Sequence, residues 1–201
     1  MIVLSKGNMK LQDLFLIFNL PTGLSCIGNT PLCTLWCYAK KAERLHPAVR
    51  PSRERNFVKS KEPAFVDDMI DAIITTRGTK KLFFRINESG DFYSQEYFDK
   101  WCKIAQQITD MVFFAYTKNY ELDISQKPDH FRLYYSVFPD TNLELVPKQG
   151  LRAYTYGWKK KIYYTVNDSP RFDEAFICDD LKCAECRVCF EQDLDVKFPF
   201  H

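Results

Sequence analysis

Leu14-Phe-Leu-Ile-Phe18, closed by Asn19 and Pro21, leads into Cys26-Ile-Gly-Asn-Thr-Pro-Leu-Cys-Thr-Leu-Trp-Cys-Tyr-Ala-Lys-Lys-Ala-Glu-Arg44. The first run is short and apolar on both faces, as a covered strand requires. Thr30 and Pro31 then mark a helix start, with a hydroxyl at the N-cap and a proline ring at the first helical position. The spacing predicts one helix from there to about Leu45, stopped by His46-Pro47. Cys33 falls in its first turn and Cys37 one turn later, so both sulfurs share a face. Gly28 lets the preceding loop fold back and bring Cys26 to them. A helix N-terminus favours negative charge and lowers a thiol pKa. Cys26, Cys33 and Cys37 therefore read as a three-thiolate site for a metal or an iron–sulfur cluster. The plainer alternative is three packed free cysteines, which are more often buried inside elements than gathered at a helix start.

Outward from this stretch, strands and helices alternate. Residues 47–61 are polar and basic, with Arg50, Arg53, Arg55, Lys59 and Lys61 against Glu54. They read first as a solvated loop, and second as a patch facing phosphate or carboxylate groups through Arg53 and Arg55. Pro63 opens a helix whose apolar residues, Phe65, Val66, Met69, Ile70, Ile73 and Ile74, lie on one face until Gly78 ends it. Lys81–Ile86 is a strand. Ser94 begins another helix, with Tyr97, Phe98, Trp101, Cys102, Ala105 and Ile108 inward. Strands are predicted at 111–116, 131–136, 152–156, 162–166 and 175–178. Strand alternating with helix indicates a parallel sheet with crossover helices, either doubly wound or a full or partial barrel.

The chain has 201 residues, 46% hydrophobic and 27% charged, which suits one folded domain: an α/β body over 1–170 with a cysteine-rich tail, 171–201, packed on it. A net charge of +2 is too small to argue for a nucleic-acid or membrane partner. The run at 14–18 is too short to span a membrane and has no cleavage site of a secretion signal. Seven of the eight cysteines cluster at short gaps, the pattern of metal ligation in a reducing compartment and not of a disulfide scaffold. Cys102 stands apart and reads as core. The tail holds Cys178, Cys183, Cys186 and Cys189, the last three separated by two residues each, the spacing of zinc knuckles and ferredoxin-type runs. Either metal suits it, and the final His201 is a further candidate ligand or a surface terminus.

In parallel α/β folds functional residues collect beyond the C-terminal ends of the strands. Those ends deliver the cysteine loop, then Glu88, Ser89, Gly90 and Asp91, then Thr117 and Lys118, then Ser136. The alternative for Glu88–Asp91 is a turn that caps the next helix.

Several of these motifs together resemble the phage gene product 88-like proteins. They are Phe18-Asn-Leu-Pro21, the three cysteines with Cys37-Tyr-Ala-Lys40, Arg53-Glu-Arg-Asn56, Glu88-Ser-Gly-Asp-Phe-Tyr-Ser94, Ala115-Tyr-Thr-Lys118, and the cysteine-rich tail with Phe190. That family is in turn similar to radical S-adenosylmethionine (SAM) enzymes. The resemblance implies a radical-SAM-like partial (β/α) barrel with a [4Fe–4S] cluster on the loop after the first strand. Glu88–Asp91 would then contact the SAM amino group, and Lys118 or Arg85 its carboxylate. The cysteine spacing departs from the usual radical SAM pattern, with six and then three intervening residues instead of three and two. The functions implied are a small SAM-dependent or redox iron–sulfur enzyme in the cytoplasm of a phage host. The contrasting expectation is a non-catalytic metal-stabilised module that binds a host protein or nucleic acid through residues 50–61.

Overall fold

The computed structural model describes residues 1–8, 11–78, 82–159, 162–168, 170–178 and 182–199. The first strands are β1 (Leu4–Ser5) and β2 (Phe15–Phe18). Four helices follow: α1 (Pro31–Leu35), α2 (Tyr38–Leu45), α3 (Val49–Lys61) and α4 (Phe65–Arg77). Then come β3 (Phe83–Ile86), α5 (Gln95–Gln107), β4 (Val112–Thr117), β5 (Phe131–Val137), β6 (Leu151–Lys159) and β7 (Ile162–Tyr164). The tail supplies α6 (Arg171–Glu174), β8 (Phe176–Ile177), α7 (Cys183–Cys186), α8 (Val188–Glu191) and β9 (Val196–Pro199).

Among the described residues these strands form one open sheet in the order β1-β2-β3-β4-β5-β6-β9-β8, with β7 paired to β6. β2 through β6 are parallel neighbours in chain order, with Phe15 opposite Phe83, Phe84 opposite Phe113, and Phe113 opposite Phe131. β1 joins the edge antiparallel, and β7 folds back on β6 as a hairpin. The order does not reverse between β2 and β6, whereas a doubly wound sheet has such a switch point. The fold is α/β with a mostly parallel sheet, and all the central strands end on one rim.

Successive side chains of a strand point to opposite faces. Leu16, Phe18, Phe84, Ile86, Phe113, Ala115 and Phe131 meet Phe65, Met69 and Ile73 of α4 and Phe98, Trp101 and Cys102 of α5. Phe15, Ile17, Phe83 and Phe114 point the other way, where Phe190 of α8 covers them. The Phe190 ring centroid lies 5.2, 4.7 and 5.0 Å from those of Phe15, Phe83 and Phe114. Burying such a ring contributes about 1.5–3 kcal/mol, which fastens the tail across the second face.

Several expectations are corrected. The helix after Thr30 is two helices, broken at Trp36 and Cys37. The cap itself forms, with the Thr30 hydroxyl accepting from the Cys33 N–H at 3.2 Å. Residues 49–61 are helical and not a loop. Their buried face is polar, so no apolar stripe announces it: Arg53, Asn56 and Ser60 are buried. The Asn56 side chain accepts from the Val3 N–H and donates to the Val3 and Asn19 carbonyls, at 2.9–3.0 Å, tying α3 to the start of the sheet. The tail is not only packed on the sheet. It adds β8 and β9 to it, with β9 inserted beside β6. His201 and Lys81 lie outside the described residues.

Candidate functional site

A cavity of about 370 Å³ opens below the strand ends, on the face opposite α4 and α5. It is lined from one side by Cys26, Cys33 and Cys37 and from the other by Cys178, Cys183 and Cys189. The two cysteine groups, far apart in sequence, thus look into one space. Within the first group Cys26 senses the charges of Cys33 and Cys37, and within the second Cys189 senses Cys178 and Cys183. Cys186 packs instead beside the cluster formed by Tyr134, Ala153, Val188 and Val196. Cys102 is sealed in the core, and burial pushes its thiol up to about 12.

Two loops lock the cysteine loop in place. An added Cβ on Gly28 would lie 2.0 Å from the Lys118 carbonyl oxygen, so the loop rests directly on the backbone after β4. Gly90, at φ +87°, makes a similarly close approach: an added Cβ would lie 2.5 Å from Ser25 Oγ and 2.6 Å from Leu20 Cβ. Ser89 donates from its backbone to Asn19 Oδ1 at 2.7 Å and from its hydroxyl to the Leu20 carbonyl at 2.9 Å. The role foreseen for Gly28, a fold-back, is in the structure a close approach of two backbones.

Asp91 is buried beneath this rim. Its Oδ1 accepts from the Thr117 hydroxyl at 2.6 Å and the Phe92 N–H at 2.7 Å, and its Oδ2 from the Lys118 N–H at 2.8 Å. Burial pushes its carboxyl up, against these donors. Thr117 and Asp91 therefore hold the strand-end loops together. Lys118 is aimed across the rim: its ammonium donates to Ser136 Oγ at 3.0 Å, lies 4.5 Å from the Phe138 ring centre, and reaches the Cys33 sulfur. Glu88 lines the cavity, its carboxylate accepting from Asn8 and its carbonyl from the Tyr38 hydroxyl.

The thiols do not behave as a helix N-terminus alone predicts. Burial pushes Cys26 and Cys33 above the ordinary thiol value, and Lys118 only partly offsets this at Cys33. With five residues, α1 has little dipole to oppose desolvation. Cys189 is raised to about 12 by burial, although the Tyr116 hydroxyl donates to its sulfur at 3.2 Å. Such thiols stay protonated unless a metal or cluster takes the place of the proton.

Sequence reasoning placed Glu88–Asp91, Thr117, Lys118 and Ser136 on one rim, and the structure brings them there. It also named Arg85 beside Lys118 as a partner for a cofactor carboxylate, and Arg85 lines the same cavity; the residues it missed there are Asn87 and Thr155. Arg85 carried a readable signal, a lone cation in the apolar strand Leu-Phe-Phe-Arg-Ile. Its strand face is set by register, which the sequence alone leaves open.

The Gene product 88 family matches residues 3–192. The chain belongs to that family. Among its relatives is the Gene 88 protein of Mycobacterium phage L5, 27% identical over 197 residues, spanning 88% of this chain and 82% of that one. The Gene 88 protein of Mycobacterium phage D29 is 30% identical over 129 residues, spanning 59% of this chain and 54% of that one. No solved structure gives a significant match. No helix among the described residues is long and apolar enough to cross a membrane.

Among the described residues, no three His, Cys, Asp or Glu side chains stand close enough to hold a single metal ion. A single tetrahedral zinc, with bonds of about 2.3 Å to sulfur, draws its thiolates to within about 4 Å of one another. A cubane cluster offers a separate iron to each thiolate and so takes donors spaced more widely. The donor set at this end of the cavity is three thiols with the Lys118 ammonium beside Cys33.

Proposed function

We propose that this chain is a small iron–sulfur enzyme of radical-SAM-like type, working in the cytoplasm of a phage host. The observation that carries the reading is the convergence of the two cysteine trios on one cavity at the C-terminal ends of parallel strands. Cys26, Cys33 and Cys37 are the residues that would hold a [4Fe–4S] cluster. Cys178, Cys183 and Cys189 would hold a second iron–sulfur centre, which would bind the tail to the sheet. When bound, such a cluster would supply the single electrons that reductive cleavage of a SAM sulfonium needs.

The chain's own residues orient and seal the site. Glu88 is the carboxylate facing the cavity and takes the SAM ammonium. Lys118, held by Ser136 and by the Asp91 contact to its backbone, meets the carboxylate. Asp91, Ser89 and Gly90 act one step back, fixing the loop on which Glu88 sits. Phe114, Phe138, Phe190 and Phe198 line the same space and exclude water from it.

The alternative, a binding module acting through residues 50–61, draws less support. Arg53 and Arg50 are paired with Glu43, and Lys59 with Glu62 and Asp68, so most of that charge is used within the fold.

The test is calorimetry with SAM on anaerobically prepared protein, followed by reduction and assay for 5′-deoxyadenosine. Binding that weakens at least tenfold in Glu88→Gln and in Lys118→Met supports the roles. Unchanged binding in both variants overturns them, and no binding at all removes SAM from the account.

A further inference from the structure

Arg85 is the most unusual charge in the molecule. It is 7% exposed, sits on the cavity face of β3, and has no acidic partner among the described residues. Its Nη1 is buried without a hydrogen-bond partner. The guanidinium carbon lies 4.0 Å from the Tyr116 ring centre and 4.9 Å from that of Phe114. Those rings stabilise the cation and fix its plane, but they satisfy none of its N–H donors. A buried donor left unpaired costs about 1–3 kcal/mol, and more when charged. Natural cores rarely keep such a cost unless another group repays it.

Two further residues of the lining have a side-chain polar atom with the same lack of partner. Asn87, two residues on, adopts a left-handed backbone (φ 52°); its Oδ1 accepts from Tyr97 at 3.1 Å while its Nδ2 is buried and unpaired. Thr155, on β6 across the sheet, has a buried and unpaired hydroxyl. The side-chain nitrogens of Arg85 and Asn87 can only donate. One permanent positive charge with neutral donors, on a rim that already carries Glu88, matches a single negative charge. A phosphate dianion would need more cations than the site offers.

We propose that Arg85 anchors the carboxylate of a small-molecule substrate, with Asn87 Nδ2 contributing on the near wall and Thr155 on the far one. This deepens the functional reading above by naming the substrate class, and it rests on that reading only for the cofactors. A planar carboxylate fits the guanidinium fork in a bidentate pair, and stacking on Tyr116 fixes the plane in which that pair would form. Lys118 remains available for the cofactor at the cysteine rim.

The test is thermal melting of the full chain, as purified, against acetate, acetamide and inorganic phosphate at matched ionic strength. Metal content is measured in every sample. A ligand that binds only the native state raises Tm with its concentration. Acetate should raise Tm saturably and acetamide should not. Arg85→Met should weaken the acetate effect at least tenfold, and Arg85→Lys, which keeps the charge without the fork, should weaken it too. If Arg85→Met does not fold, the wild-type acetate and acetamide curves and Arg85→Lys still decide. No acetate effect in the wild type, an equal effect in both variants, or a stronger effect of phosphate would overturn the proposal. Loss of metal in Arg85→Met without any acetate effect in the wild type would assign Arg85 to the tail thiolates instead, and would also overturn it. An acetate effect abolished by added SAM would give the site to the cofactor, with the same consequence. Because acetate binding is read directly, a zinc-only protein would refute the cluster while leaving this test intact.

Discussion

Gly28→Ala puts one methyl group where the cysteine loop touches the end of β4. The added Cβ would sit 2.0 Å from the Lys118 carbonyl oxygen and 2.6 Å from its carbon. Favourable contact between carbon atoms begins near 3.5 Å, so the two backbones must separate by about 1.5 Å. The neighbour is main chain and cannot swing aside. The Lys118 N–H is bound to Asp91, and its side chain is held by Ser136. Overpacking of this kind costs about 1–3 kcal/mol. For a domain of this size each kcal/mol shifts Tm by about 2–4 °C, so a drop of about 2–12 °C is expected. The loss of metal should exceed the loss of stability, because the displaced segment carries Cys26 and Cys33 and leaves the core under α4 and α5 untouched. The assay is a melting curve paired with metal analysis, with Gly23→Ala as control. Gly23 has φ +82° but open space around it, so that variant pays backbone strain without the clash. Gly28→Ala with wild-type metal content and Tm would refute the claim that the loop is clamped on Lys118.

Asp91→Asn should cost about 1–3 kcal/mol in urea unfolding, because its amide faces the Lys118 N–H donor to donor; Asp91→Ala should cost more, leaving three donors unpaired. Burial raises the Glu43 carboxyl, but hydrogen bonds from the Thr22 N–H, Arg53 and the Thr22 hydroxyl, with the Arg53 charge, outweigh it and hold Glu43 below the ordinary carboxylate value. A depressed native value gives stability that is complete above the unfolded pKa, near ~4.3, and is lost as pH falls below it. Glu43→Gln should flatten that acid limb and cost about 2 kcal/mol at pH 7, and an unchanged acid limb would remove Glu43 from the account. Cys33→Ser should lose metal, whereas Cys102→Ser should keep it; equal metal content in both would refute the division of thiols between cavity and core.

Much of this was legible in the chain, and the reasons differ by element. The caps at Thr30 and Ser94 were readable because each is a local bond, hydroxyl to N–H three residues on. The convergence of Cys26, Glu88, Lys118 and Ser136 followed from strand–helix alternation, since parallel strands deliver their ends to one rim. α3 was not legible, because its inward face is Arg53, Asn56 and Ser60, whose partners Glu43, Val3, Asn19 and Tyr93 lie far off in sequence. β9 was hidden for a related reason: Val196-Lys-Phe-Pro199 is a short strand whose neighbours, β6 and β8, do not follow from chain order. The break at Trp36 is hidden in the sequence because Leu35 and Tyr38 continue an acceptable helical pattern across it. The thiol pKa direction is not legible in the sequence, because helix position can be read from spacing whereas burial of Cys26 and Cys33 depends on the whole fold.

The central claim is that the first cysteine trio holds iron and sulfide. Quantifying iron, acid-labile sulfide and zinc in protein purified without oxygen, alongside its visible absorption, tests it most directly. The account predicts brown protein with about four irons and four sulfides at the cluster of Cys26, Cys33 and Cys37, lost in Cys33→Ser. Colourless protein carrying zinc alone, or no metal, would contradict it.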